Sequence, residues 1–273
     1  MELAWIMAFV IGAFIGSFLN VCIYRLPREQ SIVTPRSRCP KCSKPIAWYD
    51  NIPVLSFLAL GGRCRRCRGT IRWRYPVVEG LSGAAAVAVL SRFGLNAAGL
   101  IYLVFVWALI VVSFIDLEFQ IIPDEISLGG LALGVLLSLL VPQLHGTLQR
   151  VAALKASLVG ALVGGGLLYV TGAIGTLLFR KEAMGGGDVK LLSMAGALLG
   201  WKLVALTFFL APVLAIGPGV AVLATRRSHL IPYGPFLSLA LVVSLFAGSW
   251  LLEITGFGAT LHLLRTYPWW GTS

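Results

Sequence analysis

The sequence predicts an all-α, polytopic membrane protein of about eight spans, with a small metal-binding insertion after the first. Three observations predict it. First, 58% of the 273 residues are hydrophobic and only 12% are charged, where a soluble chain carries about a quarter charged residues. Second, the mean hydropathy of +0.88 calls for several membrane spans rather than one water-soluble core. Third, the positive charge is not spread evenly: of 22 Lys and Arg residues, 12 fall between Arg25 and Arg74, opposed there only by Glu29 and Asp50. A net charge of +11 resembles that of a nucleic-acid binder, but this placement beside a span is what the positive-inside rule asks of a cytoplasmic loop. No nucleic-acid partner is expected.

The first apolar run, Leu3 to Tyr24, has no basic residue before it and Arg25 and Arg28 just after it. A cleavable signal peptide shows the reverse order, so this run reads as a retained anchor with its N-terminus outside. Further runs at roughly 77–93, 97–115, 126–142, 151–178, 188–201, 203–224 and 231–252 complete the eight. The sixth is short and has Lys190 near its start. Alternation places the segments 116–124, 180–188 and 226–230 on the cytoplasmic side, in keeping with Arg180–Lys181 and Arg226–Arg227. The more thinly spread Arg92, Arg150, Lys155, Lys202 and Arg265 fall on the other side. The expected division is a first span at 1–24, a basic cytoplasmic loop at 25–75 and a transmembrane domain at 76–273.

Within the loop, Cys39-Pro40-Lys41-Cys42 and Cys64-Arg65-Arg66-Cys67 form two C-x-x-C pairs separated by 21 residues. Two such knuckles supply four thiolates to a tetrahedral zinc. Disulfides are the competing reading, but a cytoplasmic loop stays reduced. With Cys39, Cys42, Cys64 and Cys67 filling all four positions, the zinc is expected to be structural. Cys22, inside the first span, reads as a packing residue.

Acids are expensive at bilayer depth, about 2.5–3.5 kcal/mol each on insertion scales, and usually serve a function there. Two patches qualify. Asp116-Leu117-Glu118-Phe119-Gln120-Ile121-Ile122-Pro123-Asp124-Glu125 joins the end of one run to the start of the next, and Gly185-Gly186-Gly187-Asp188 opens the sixth. Helix capping is the plain alternative for both Asp124 and Asp188. Paired carboxylates can instead share a proton, one activating water while the other stays protonated, as peptide hydrolysis by aspartic proteases requires. Gly185, Gly186 and Gly187 would let backbone approach a substrate strand. The dispersed His145, His229 and His262 form no metal motif, and no P-loop, dinucleotide or serine-nucleophile signature is present.

Taken together, the motifs resemble the bacterial type IV prepilin peptidases, the bifunctional leader peptidases and N-methyltransferases of pilus and type II secretion systems. The likeness runs in order through Gly16-Ser17-Phe18-Leu19-Asn20, both cysteine knuckles with Trp48-Tyr49-Asp50-Asn51-Ile52-Pro53 between them, and Arg74-Tyr75-Pro76-Val77-Val78-Glu79. It continues through the 116–124 patch, Gly185 to Lys190 and Pro232-Tyr233-Gly234-Pro235-Phe236. The resemblance implies that Asp124 and Asp188 are the catalytic aspartates, with Asp116 in support. It implies prepilin and pseudopilin precursors as substrates, cut after a basic leader on the cytoplasmic side of the inner membrane. It further implies N-methylation of the new N-terminus from S-adenosylmethionine, with Glu79, Asp50 and Asn51 as the methyltransferase site. Nothing in composition or spacing shows that second activity. Presenilin-like proteases share the Gly-x-Gly-Asp element but lack this cysteine loop, and their first aspartate follows a tyrosine. A transporter with a proton-relay aspartate pair is the alternative from a different class.

Overall fold

The computed structural model describes residues 2–34, 37–181, 184–225 and 232–255, with side chains described to residue 217 in the helix that ends at Thr225. The expected Arg226–Arg227 turn, His229 and the C-terminal segment with His262 and Arg265 lie outside the described residues. Nine α-helices are described: α1 (Glu2–Arg25), α2 (Leu55–Ala59), α3 (Arg74–Phe93), α4 (Ala97–Phe119), α5 (Asp124–Leu140), α6 (Arg150–Phe179), α7 (Gly186–Leu199), α8 (Trp201–Thr225) and α9 (Gly234–Ile254). Each of the eight expected apolar runs coincides with one of the long helices. Among the described residues, five regions, Glu2–Arg28, Arg74–Phe93, Ala97–Phe119, Arg150–Phe179 and Gly234–Ile254, are long and apolar enough to cross a membrane. With 17 and 14 residues, α5 and α7 rise only about 25 and 21 Å, short of the roughly 30 Å hydrocarbon core. The chain divides into two compact units, residues 1–115 and 116–273.

In the first unit, α1 and α3 pack antiparallel through small residues. A Cβ on Gly12 would lie 2.7 Å from the Ala86 Cβ, and one on Gly16 would lie 2.7 Å from the Glu79 Cα. Gly12 and Gly16 form a G-x-x-x-G seam of the kind that brings membrane helices to backbone contact. Buried Asn20 donates from Nδ2 to the carbonyl oxygens of Gly16 (3.3 Å) and Tyr75 (3.1 Å). Beyond α1, α3 also meets α4, where Trp107 Nε1 donates to the Ser82 carbonyl at 3.1 Å. Asn96 caps α4, its Oδ1 accepting from the Gly99 N–H at 2.9 Å.

The second unit is built around α7. Its Leu191, Leu192, Ala195 and Ala197 are fully buried, because α5, α6, α8 and α9 all pack against it. The antiparallel α6–α7 crossing is closest where Gly160 meets Gly196, with main chain against main chain. Gly160→Leu should therefore force the helices apart; overpacking costs about 1–3 kcal/mol and occasionally more. Thermal unfolding in detergent is expected to show a midpoint several degrees lower, and an unchanged midpoint would refute the tight crossing.

A short turn, Pro142–His145, links α5 to α6 and buries His145. Its Nε2 lies 2.8 Å from the Ser138 hydroxyl, which also donates to the Ala197 carbonyl at 3.1 Å. Burial pushes the His145 imidazole down to about 4. An unfolded chain takes up this proton as pH falls below about 6.5, while the native state resists until about 4, so stability declines across that window. Apparent melting temperature should fall between pH 7 and pH 5, and His145→Gln should flatten the dependence.

Candidate functional site

Aspartates and a helix start define the site in the second unit. Asp116 ends α4 and is 7% exposed; Asp188 stands in the first turn of α7 and is 9% exposed. Among the described residues they are the two buried aspartates. Asp116 Oδ2 accepts the backbone N–H of Gly234 at 2.8 Å. That donor is one of the unpaired amides at the start of α9, where Pro235 follows in the first turn. A Cβ on Gly234 would lie 2.8 Å from the same oxygen, so only glycine allows the approach. Gly234 and Tyr233 were legible in the sequence only as members of a resembling motif, with no role attached.

Asp124 stands apart. Its side chain is 57% exposed, and both oxygens accept from Lys190 Nζ, at 2.7 and 2.9 Å. The pair ties the first turn of α5 to the second turn of α7. Neither helix start has a side-chain cap, so the capping alternative for Asp124 and Asp188 does not describe them. The three glycines differ in surroundings. A Cβ on Gly185 would meet Asp188 Oδ2 at 3.2 Å and one on Gly187 would meet Ile122 Cβ at 2.9 Å, while Gly186 faces open space. Close packing explains Gly187, and Gly186 is the position with room for a substrate strand.

The first unit holds a second constellation. The ligand atoms of Cys39, Cys42, Cys64 and Cys67 all lie within 4.8 Å of one another, and no disulfide joins them. The two knuckles repeat the same hydrogen bonds. Ser43 N–H donates to Cys39 O at 2.8 Å, as Arg68 N–H does to Cys64 O at 2.9 Å. Cys39 N–H donates to Lys44 O at 2.9 Å, as Cys64 N–H does to Gly69 O at 2.8 Å. Bridges Arg38–Pro45 and Arg63–Thr70 close the two hairpins, and Ser43 and Arg68 share φ near +57° (57° and 56°). Cys39 and Cys67 sulfurs are 3.9 Å apart, close to the roughly 3.8 Å edge of a tetrahedron with Zn–S bonds of about 2.3 Å. Backbone N–H groups of Cys67 and Arg66 draw the Cys64 thiol down to about 7, toward the thiolate a metal binds. The donor set fits zinc.

Between the knuckles, Trp48–Asn51 forms a 3₁₀ turn. Arg65 grips Asp50 with Nε at 3.0 Å from both oxygens and a second guanidinium nitrogen at 2.7 Å from Oδ1. Asn51 is exposed. Glu79, buried in α3, accepts the Val54 N–H at 2.7 Å through Oε2. Val54 itself has φ +60° and ψ −50°, a conformation costing a β-branched residue on the order of 1–3 kcal/mol. Of the three residues expected at the methyltransferase site, two are thus engaged by the protein's own groups.

Comparison with known proteins shows the family. Residues 10–93 match the Bacterial Peptidase A24 N-terminal domain, and residues 103–220 match the Type IV leader peptidase family. A prepilin leader peptidase/N-methyltransferase of Aeromonas hydrophila is 35% identical over 269 residues, covering 89% of this chain and 90% of its own length. The protein of that name from Pseudomonas putida is 36% identical over 262 residues, 86% of this chain and 87% of the relative. One from Myxococcus xanthus is 40% identical over 224 residues; the match spans 82% of this chain and 64% of that relative. No solved structure is a significant match.

Proposed function

The chain belongs to the type IV leader peptidase family, and from that premise we propose that it removes the leader from prepilins and pseudopilins and then N-methylates the exposed N-terminal residue. The observation that carries the peptidase reading is the burial of two carboxylates in the second unit, Asp188 in the first turn of α7 and Asp116, which accepts the Gly234 amide. Two carboxylates so placed can share one proton. The ionised member takes a proton from water as it attacks the scissile carbonyl, and the protonated member gives one to the carbonyl oxygen or leaving amine. We assign the dyad to Asp116 and Asp188. The resemblance names Asp124 as the partner of Asp188; its carboxylate is exposed and held by Lys190, so burial favours Asp116 for that place. Open space at Gly186 admits the extended substrate backbone.

In the methyltransferase reading, S-adenosylmethionine supplies an electrophilic methyl group and the new N-terminal amine is its acceptor. Cys39, Cys42, Cys64 and Cys67 would hold a structural zinc that shapes the surrounding loop. Asp50 braces the second knuckle through Arg65, Glu79 holds Val54, and exposed Asn51 is the one of the three free to meet a ligand. The proposed setting is the inner membrane, with the N-terminus outside and with the cysteine loop and dyad facing the cytoplasm. That arrangement rests on the charge placement and on the substrate's leader being cytoplasmic. Named enzymes among the relatives favour this reading over a transporter.

The test is mass spectrometry of a purified prepilin incubated with the protein in detergent, with and without S-adenosylmethionine. A shortened product in both samples, methylated only with the donor, is expected. Shortening without methylation would remove the transferase, and an intact precursor with folded enzyme would remove both.

A further inference from the structure

The loop between α1 and α3 is basic, yet from Asn51 to Gly62 it carries no charge. Apolar stretches of this length are too short to span a membrane and suit an interfacial or re-entrant segment. Depth can be read from the helices on either side, which are both candidate spans. Gly16 packs against Glu79; Gly16 lies about 13 Å before the end of α1, and Glu79 about 7 Å after the start of α3, at 1.5 Å per residue. The Glu79 carboxylate, buried at that level, holds the Val54 N–H at 2.7 Å. Side chains lean toward the helix N-terminus, which sets Val54 level with the first turn of α3.

Three further contacts fix the direction of the segment. The Leu55 N–H donates to the Pro53 carbonyl at 2.5 Å, so the chain reverses tightly at Val54 and enters α2. Phe57 on α2 packs against Trp73, with ring centroids 5.1 Å apart, and Trp73 immediately precedes α3 at the depth where tryptophan marks a membrane interface. Leu55 and Leu58, one turn apart on α2, are 66% and 65% exposed. A pair of exposed leucines beside the entry of a span has one medium at hand to cover it.

We propose that residues 52–60 dip into the membrane, with Leu55 and Leu58 in the acyl chains just below the headgroups and exposed Arg63 at the phosphates. The segment is an interfacial element that seats the cysteine loop on the bilayer and keeps Asp50 and Asn51 at its surface. The partner is lipid, and the inference stands independently of the enzymatic reading.

The test reconstitutes the full chain into phosphatidylethanolamine–phosphatidylglycerol vesicles, with photoreactive benzoylphenylalanine replacing Leu55, Leu58 or, as a polar knuckle control, Lys44. Yield in the detergent-soluble fraction and a melting temperature equal to wild type certify each variant as folded, and the two leucine positions report independently. Irradiation should add the mass of a phospholipid at positions 55 and 58, at least about tenfold more than at 44. Equal labelling at 44, or no lipid adduct at 55 and 58, would overturn the proposal. An adduct there to prepilin or to a second copy of the chain would overturn it too, giving the face to a protein partner.

Discussion

Asp116→Asn and Asp188→Asn should each slow prepilin cleavage by about a thousandfold, while Asp124→Asn keeps it within about fivefold. Removing a positioned general acid or base typically loses 10²–10⁴ in rate, roughly 3–5 kcal/mol of barrier. Asparagine preserves the shape and still accepts the Gly234 N–H, so the loss would be chemical rather than structural. Relieving two buried, mutually repelling carboxylates should leave detergent melting temperature unchanged or slightly higher. Asp124 offers a contrast: its exposed pair with Lys190 is worth about 0–1 kcal/mol. Single-turnover cleavage read by mass spectrometry separates the three variants. Loss at Asp124 equal to that at Asp188, with Asp116→Asn active, would return the dyad to Asp124 and Asp188.

Cys39→Ser or Cys64→Ser should take zinc from one equivalent per chain to nearly none and abolish methylation while sparing cleavage. A four-thiolate zinc contributes on the order of 10 kcal/mol to a domain that lacks a core of its own. Among the described residues of the loop, Cys39 and Pro53 are buried but no large apolar side chain is, so nothing else holds the knuckles together. The acids belong to the other compact unit, which is why the two activities should part. Metal analysis and paired assays check this. Absence of zinc from intact protein would remove the metal assignment, and equal loss of cleavage would show the loop to be needed for both reactions.

The long helices were legible because lipid exposure demands unbroken apolar runs, and the cysteine site because both halves lie in one short stretch. The aspartates were harder. Proline and a following apolar run made Asp124 conspicuous, but the qualities that mark Asp116 are supplied from far along the chain. Asp188, proposed as its partner, is 72 residues on (188 − 116), and its amide donor Gly234 is 118 residues on. Burial and pairing across such distances leave no local pattern. The same holds for α3: its seam with α1 is written in Gly12, Gly16, Gly83 and Ala86, small residues whose meaning depends on knowing which helices meet. Glu79 was expected as a ligand residue only through the resemblance, and the amide it serves belongs to Val54, inside the loop.

The duplicated knuckle bears on the order in which the chain is made. The first hairpin leaves the ribosome with two thiolates, enough to catch a metal loosely and not enough to cage it. The second arrives 25 residues later, and its last cysteine, Cys67, precedes the first residue of α3 by only seven positions. The cage can therefore close while α3 is still inside the ribosome, before Glu79 is free to grip Val54. Metal supply during translation, rather than after it, would then decide whether the loop is already shaped when its second anchor enters the membrane.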